Sequence, residues 1–190
     1  MKTFRVVRIY RAFLIDSACL ERRLRSGVRN GAFSAWVLHR WQGYKLISVD
    51  PWASESDHDY IDIANVSQAR HDNLLTQARY RLTPFGSRSE IWRRTSREAA
   101  EQLPDSELDF VYLDARHDEA SVWEDLSLWY PKLAPGGIIA GHDYLDGDLP
   151  EGHFAVKTAV DRFFADRDRQ VHTTTDDAPW LTWFVLARHS

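Results

Sequence analysis

The stretch "LDFVYLDARHDEASVWEDLSLWYPKLAPGGIIAGHDY", residues 108–144, holds two apolar runs separated by an amphipathic segment, and each run ends in acidic or imidazole side chains. "LDFVYLDA" reads as a buried strand that stops at Asp114, and "GGIIAGHDY", after Pro135, as a second one. Between them Val122, Leu126 and Trp129 fall on one face of a helix. The segment has the length of a right-handed crossover, so the two strands are expected to be parallel neighbours. Asp114, with His117 just beyond it, and the His142–Asp143 pair would then converge at adjacent strand ends.

The same alternation extends outward in both directions. "KLISVD" (Lys45–Asp50) is a short strand stopped by Pro51, and "RSEIWRR" (88–94) is a weaker one. Helical faces are set by Phe33, Val37 and Trp41, by residues 66–82, and later by Val156, Val160 and Phe163. "TPFGS" reads as a turn, and "TSREAAEQLP" (95–104) as a short helix capped by Thr95 or Ser96. The tail "VHTTTDDAPWLTWFVLARHS" reads as two strands around a Pro-containing loop. Strand–helix alternation ending in a hairpin predicts an α/β fold, a mostly parallel sheet with an antiparallel edge.

Bulk properties narrow the function classes. The 190 residues suit one domain, and 44% hydrophobic with 27% charged residues is ordinary for a soluble globule. A net charge of −4 leaves no basic footprint for nucleic acid, although Arg22, Arg23 and Arg25 cluster locally. The single cysteine, Cys19, cannot form an internal disulfide, which points to the cytoplasm. At the N-terminus Arg5, Arg8, Arg11 and Asp16 interrupt the apolar residues, well short of a membrane span.

Ligands of open α/β sheets bind beyond the carboxyl ends of the strands. The polar residues expected there are the 27–31 turn, Asp50, Thr95 and Ser96, Asp114 with His117, and His142 with Asp143. "GVRNGAFS" puts glycines immediately before a helix, where backbone N–H groups can face a ligand. The Asp50 carboxylate, ending the next strand, can accept both hydroxyls of a ribose. Together they indicate a nucleoside cofactor without separating a nicotinamide dinucleotide from S-adenosylmethionine.

These segments resemble the class I S-adenosylmethionine-dependent methyltransferases, in particular the small-molecule branch with an Asp-x-x-His segment and a Pro-Gly-Gly-strand-(His/Asp)-Asp-Tyr segment. The likeness rests on "GVRNGAFSAWVL", "KLISVDPW", residues 108–144 and "AVKTAVDRFF". It implies a Rossmann-like seven-stranded sheet with a reversed last strand and helices on both faces, methylating a small-molecule hydroxyl. The cofactor would lie on the turn containing Gly27, Asn30 and Gly31, its ribose on Asp50, its adenine near Trp52 and the Thr95–Ser96 turn, and methyl transfer above Asp114.

Oxygen ligands with one imidazole suit Mg²⁺ or Mn²⁺, held by Asp114, Asp143 and His142. In a metal-free site His117 or His142 would serve as general base. Where the family carries an acidic residue two positions before the first glycine, this chain has Arg25, in "CLERRLRSGVRNG". Central parallel strands are apolar on both faces, so Arg22, Arg23 and Arg25 are expected outside the sheet. Residues 1–26 then form an atypical segment preceding a domain of residues 27–190, and residues 1–24 are expected to form a helix or strand packing elsewhere or to contact a second copy of the chain. Two other readings are a non-catalytic binding module on the same fold and a nicotinamide-dependent oxidoreductase; the latter lacks both Gly-x-Gly-x-x-Gly and a Tyr-x-x-x-Lys pair.

Overall fold

The computed structural model of the protein describes residues 22–55, 62–174 and 178–187. Strands β1 (Arg22–Ser26), β2 (Lys45–Asp50), β3 (Ser89–Arg93), β4 (Leu108–Leu113) and β5 (Leu133–Gly141) run parallel in one sheet. A hairpin, β6 (Asp146–Leu149) with β7 (Gly152–Ala155), stands apart from it. β8 (His172–Thr173) and β9 (Trp183–Leu186) complete the sheet, with β9 antiparallel to both β5 and β8. The seven-stranded order is β3-β2-β1-β4-β5-β9-β8, the mostly parallel sheet with a reversed strand that the sequence predicts.

Period-2 alternation sorts the strands onto two faces. Ile47, Val49, Val111, Leu113, Ile139 and Val185 point to a core covered by α4 (Glu119–Trp129) and α5 (Val156–Ala165), through Val122, Leu126, Trp129, Val160 and Phe163. The opposite face carries Leu46, covered by Val37, Leu38 and Trp41 at and just beyond α1 (Ala32–Arg40) and by Leu82 of α2 (Gln68–Leu82). The short α3 (Ser96–Ala100) starts with Thr95 as N-cap in a complete capping box, with Glu98 returning the bond. Among the described residues no helix is long and apolar enough to cross a membrane.

The first strand overturns one expectation. Arg22–Ser26 is the third of seven strands, hydrogen-bonded in register to β2 and β4, and Arg23 and Arg25 are 0% and 7% exposed. The 22–26 stretch therefore belongs to the sheet, and residues 1–21 lie outside the described residues. Leu24 enters the α4/α5 core, while Arg23 and Arg25 share the other face with aromatic rings. The Arg23 guanidinium lies 4.5 Å from the Trp41 ring centroid and 5.2 Å from that of Phe110. Burial pushes it down to about 10, with the charge of Asp109 acting in the opposite sense. Arg25 sits 4.3 Å over Phe33, donates from Nε to Gly27 O at 2.9 Å, and pairs through Nη2 with Asp114 Oδ2 at 2.8 Å. Desolvated cation–π contacts contribute about 2 kcal/mol each, and with a paired carboxylate they offset the cost of burying the charge.

Candidate functional site

The sheet order reverses between β1 and β4, and a cleft of about 940 Å³ opens beyond the strand ends at that point. Its floor is the turn after β1. Gly27 has φ of +79°, and a Cβ there would lie 1.6 Å from Asp114 O, so only glycine lets this turn rest against the end of β4. Asp50 braces the same turn: Oδ2 accepts the N–H groups of Val28 and Arg29, each at 2.9 Å, and Oδ1 accepts that of Trp52 at 2.7 Å.

The sequence-predicted cofactor residues separate into two groups. Gly27, Asp50, Thr95, Ser96 and Asp114 line the cleft. Asn30 instead accepts through Oδ1 the N–H of Ala32, the first residue of α1, and Gly31, the N-cap of that helix, packs against Ala78 of α2. Trp52 is fully buried with Leu74, Leu75 and Ala78, and its indole N–H donates to Arg29 O at 2.8 Å. Trp52 therefore supports the floor from behind and offers no face to a ligand; its neighbours Pro51 and Ala53 line the cleft.

At the β4 and β5 ends the expected convergence occurs with one change of partner. Asp114, His117 and Asp143 bring one ligand atom each within 4.8 Å of one another. The imidazole completing this set is His117, where the sequence reading had put His142. His117 Nε2 lies 3.0 Å from Asp143 Oδ2 and Nδ1 lies 2.7 Å from Asp62 Oδ2, while the ring stacks on Phe154 at 4.5 Å. His142 Nδ1 is 2.7 Å from Asp143 Oδ1. Asp143 adopts a left-handed φ of 56°, which places its two oxygens between the two imidazoles.

Electrostatics distinguish these groups. Burial alone would lower His117, but hydrogen bonds and charge from Asp143 and Asp62 outweigh it and raise it to about 9. Burial would raise Asp143, yet the bonds from His117 and His142 hold it well below the usual carboxylate range. Asp114 is raised by burial, with Arg25 opposing. His117 is thus an imidazolium donating from both nitrogens near neutral pH, a poor proton acceptor in that form.

Asp62, Arg25, Phe154 and Asp125 also line the cleft and were not picked out as ligand residues from sequence. Asp62 reaches the site from the β2–α2 connection, pinned by an antiparallel bridge to Gly152, and no local spacing marks it. In the sequence Arg25 stands out as part of a local basic cluster and as a departure from the family pattern, neither of which marks it as a cleft residue.

A family model described as a methyltransferase domain matches residues 24–144. An uncharacterised protein of Sinorhizobium fredii is 36% identical over 55 residues, which make up 29% of this chain but 6% of that protein's length. Among solved structures, an O-methyltransferase from Bacillus cereus in complex with SAH superposes with a TM-score of 0.63 at 12% identity, over 97% of this chain and 82% of its own. An rRNA methylase from Streptococcus thermophilus superposes with a TM-score of 0.64 at 13% identity, over 99% of both chains. With the cleft at the β1–β4 reversal and the family match spanning residues 24–144, the chain belongs to the methyltransferase-domain family.

Proposed function

We propose that the protein transfers a methyl group from S-adenosylmethionine to a hydroxyl of a small molecule. The observation that carries this reading is the cleft itself: a glycine turn braced by Asp50 at one end, and at the other an Asp114–His117–Asp143 cluster beside His142. The residues fit the cofactor. At Gly27 the turn presents bare backbone to the cleft, and Asp50, whose Oδ2 already holds the N–H groups of Val28 and Arg29 and whose Oδ1 holds that of Trp52, keeps one acceptor site, on Oδ1, for a ribose hydroxyl. S-adenosylmethionine supplies the methyl group on an electrophilic sulfonium carbon. The chain's part is to align an oxygen nucleophile with that carbon and to accept its proton.

His142, oriented through Nδ1 by Asp143, is placed to take the proton, whereas His117 holds one of its own. The donor set also fits a divalent cation, two carboxylates and an imidazole whose second nitrogen is fixed by Asp62, the usual support for a ligating histidine. Asp114, His117 and Asp143 would hold Mg²⁺ or Mn²⁺, which lowers the pKa of a coordinated hydroxyl. Ligation requires His117 to release its Nε2 proton. A net charge of −4 and the acidic groups around the cleft favour a small-molecule acceptor over nucleic acid, and a cytoplasmic location goes with this reading.

The test is methyl transfer to a panel of vicinal-diol and catechol-like acceptors, followed by mass spectrometry, with chelator and with added Mg²⁺. Transfer that is lost in chelator and restored by Mg²⁺ supports the metal-assisted form. Transfer unchanged in excess chelator assigns proton removal to His142 alone. Cofactor binding without turnover on any acceptor would favour the non-catalytic reading.

A further inference from the structure

Asp62 is the least exposed acid of the cluster region, its side chain 2% exposed, and each oxygen of its carboxylate has a separate task. Oδ1 accepts the N–H of Ala64 at 2.6 Å and closes a turn in its own segment, where Asn65 N also donates to Asp62 O at 3.0 Å. Oδ2 reaches out to His117 Nδ1 at 2.7 Å. The same segment is joined to the β6–β7 hairpin by the bridge between Asp62 and Gly152 and by Ile63 N, which donates to Glu151 O at 2.9 Å. The hairpin is bound in turn to the cluster, since Ala155 N donates to His117 O at 2.9 Å and the Phe154 ring stacks on that of His117. Ile63, Ala64, Asn65, Glu151 and Phe154 line the cleft on this side. With the cofactor on the Asp50 brace, the cluster end takes the acceptor, so the wall of the acceptor space and the groups that would act on it form one hydrogen-bonded unit.

We propose that Asp62 is a positioning residue for the transfer: it fixes which edge of the His117 ring faces Asp143, and so ties the arrangement of the cluster to the acceptor-side wall. The inference rests on the methyltransferase reading given above. Stacking on Phe154, with ring centroids 4.5 Å apart and planes inclined by 24°, sets the plane of the imidazole but not its edge. A half-turn about the Cβ–Cγ bond keeps that plane and puts a carbon where each nitrogen had been. The Asp62 carboxylate removes this degeneracy, because the turned ring would present a C–H to Oδ2 in a place almost closed to water. With the edge fixed, Nε2 lies 3.0 Å from Asp143 Oδ2, and Asp143 Oδ1 stays with His142 Nδ1 at 2.7 Å. The order Asp62–His117–Asp143–His142 therefore runs from the acceptor wall to the imidazole placed to take the proton. In the turned ring a carbon faces Asp143 Oδ2, which loosens the hold on His142 and also withdraws Nε2 from the cation set.

The test uses magnetic resonance of the full chain with isotope-labelled histidine, in chelator and near neutral pH. Wild type is expected to show two slowly exchanging imidazole N–H resonances that are absent from His117→Gln, one for each nitrogen held by a carboxylate. Asp62→Ser keeps an oxygen close enough to accept the Ala64 N–H but is too short to reach His117. It should lose both resonances, that of Nε2 included. Its affinity for S-adenosylhomocysteine should stay within about threefold of wild type while kcat falls at least about tenfold. A surviving Nε2 resonance in Asp62→Ser overturns the proposal, since the ring then keeps its edge unaided. So does a loss of S-adenosylhomocysteine affinity in step with kcat, the mark of a merely structural role. Ile63→Pro, at an exposed position, deletes the bond to Glu151 O and leaves the Asp62 carboxylate in place. It should speed exchange of both resonances at least about threefold, and unchanged exchange overturns the tie to the wall, whether or not Asp62→Ser folds. The resonances are read without acceptor or cofactor, so a wild type that transfers no methyl group defeats the methyltransferase reading while the ring test still gives its own answer.

Discussion

His117 makes stability depend on pH in a direction and window that the structure specifies. Its folded value of about 9 lies above the 6.5 of an unfolded histidine, and its side chain is 14% exposed, so little of the interaction is lost to solvent screening. A difference of this size corresponds to on the order of 3 kcal/mol, at roughly 1.4 kcal/mol per pH unit. The imidazolium is the form that the fold prefers. Its contribution is fully present below pH 6.5 and disappears as pH rises through about 9. Asp143, held low, is ionised throughout this window and adds no slope; Asp125, raised to about 7, affects mainly the acid side. The assay is urea unfolding in chelator at intervals from pH 6 to 9.5, for wild type and His117→Gln. The wild-type unfolding free energy should fall across the window by about 3 kcal/mol more than that of the variant. Parallel profiles would refute the reasoning, since they would mean that Asp62 and Asp143 do not bracket a charged ring. Saturating Mg²⁺ should flatten or reverse the wild-type slope, because ligation demands the neutral imidazole.

Three further outcomes are expected. Gly27→Ala, with φ at +79° and a Cβ driven into Asp114 O, should cost about 3 kcal/mol or more and prevent the β1–β4 closure, measured as lost cooperativity in thermal unfolding. Arg25→Met keeps the stacking volume over Phe33 but leaves Asp114 without its guanidinium, so chemical denaturation at pH 7 should show a loss of about 2–4 kcal/mol that shrinks when Asp114→Asn is added. Asp50→Ala removes the acceptor for three backbone N–H groups, so it should weaken S-adenosylhomocysteine binding by about 2–4 kcal/mol in calorimetry and lower the melting temperature as well. Unaltered affinity would remove Asp50 from the ribose site.

How much of this was legible beforehand differs from element to element. Lys45–Asp50 and the helix opening at 95–96 could be read directly, because a β-branched run before proline and a Thr or Ser ahead of a short helix are local signals whose meaning does not depend on distant partners; the structure chooses Thr95 over Ser96 as the cap. The return of Leu108–Leu113 and Leu133–Gly141 as parallel neighbours followed from crossover length, and with it the meeting of Asp114 and Asp143. The sequence by itself also determined that polar groups would collect at one edge of the sheet, because strand ends in an α/β alternation all face the same way. Four decisions were left to tertiary structure. Arg23 and Arg25 look wrong for a central strand until Trp41, Phe110, Phe33 and Asp114, from remote segments, stand beside them. Trp52 reads equally as a ligand face or as support, and only its packing under the turn, among residues of α2, separates the two. The choice of His117 over His142 for the cluster rests on Asp62, some 55 residues away in the chain, and on the left-handed turn at Asp143. Asp125 lies in the middle of a helix that reads as a plain crossover, and the rise of its carboxyl to about 7 comes from a burial that only folding supplies. In each case the free energy of a charged or aromatic side chain is set by what surrounds it in space, and that surrounding is not a property of its neighbours in sequence.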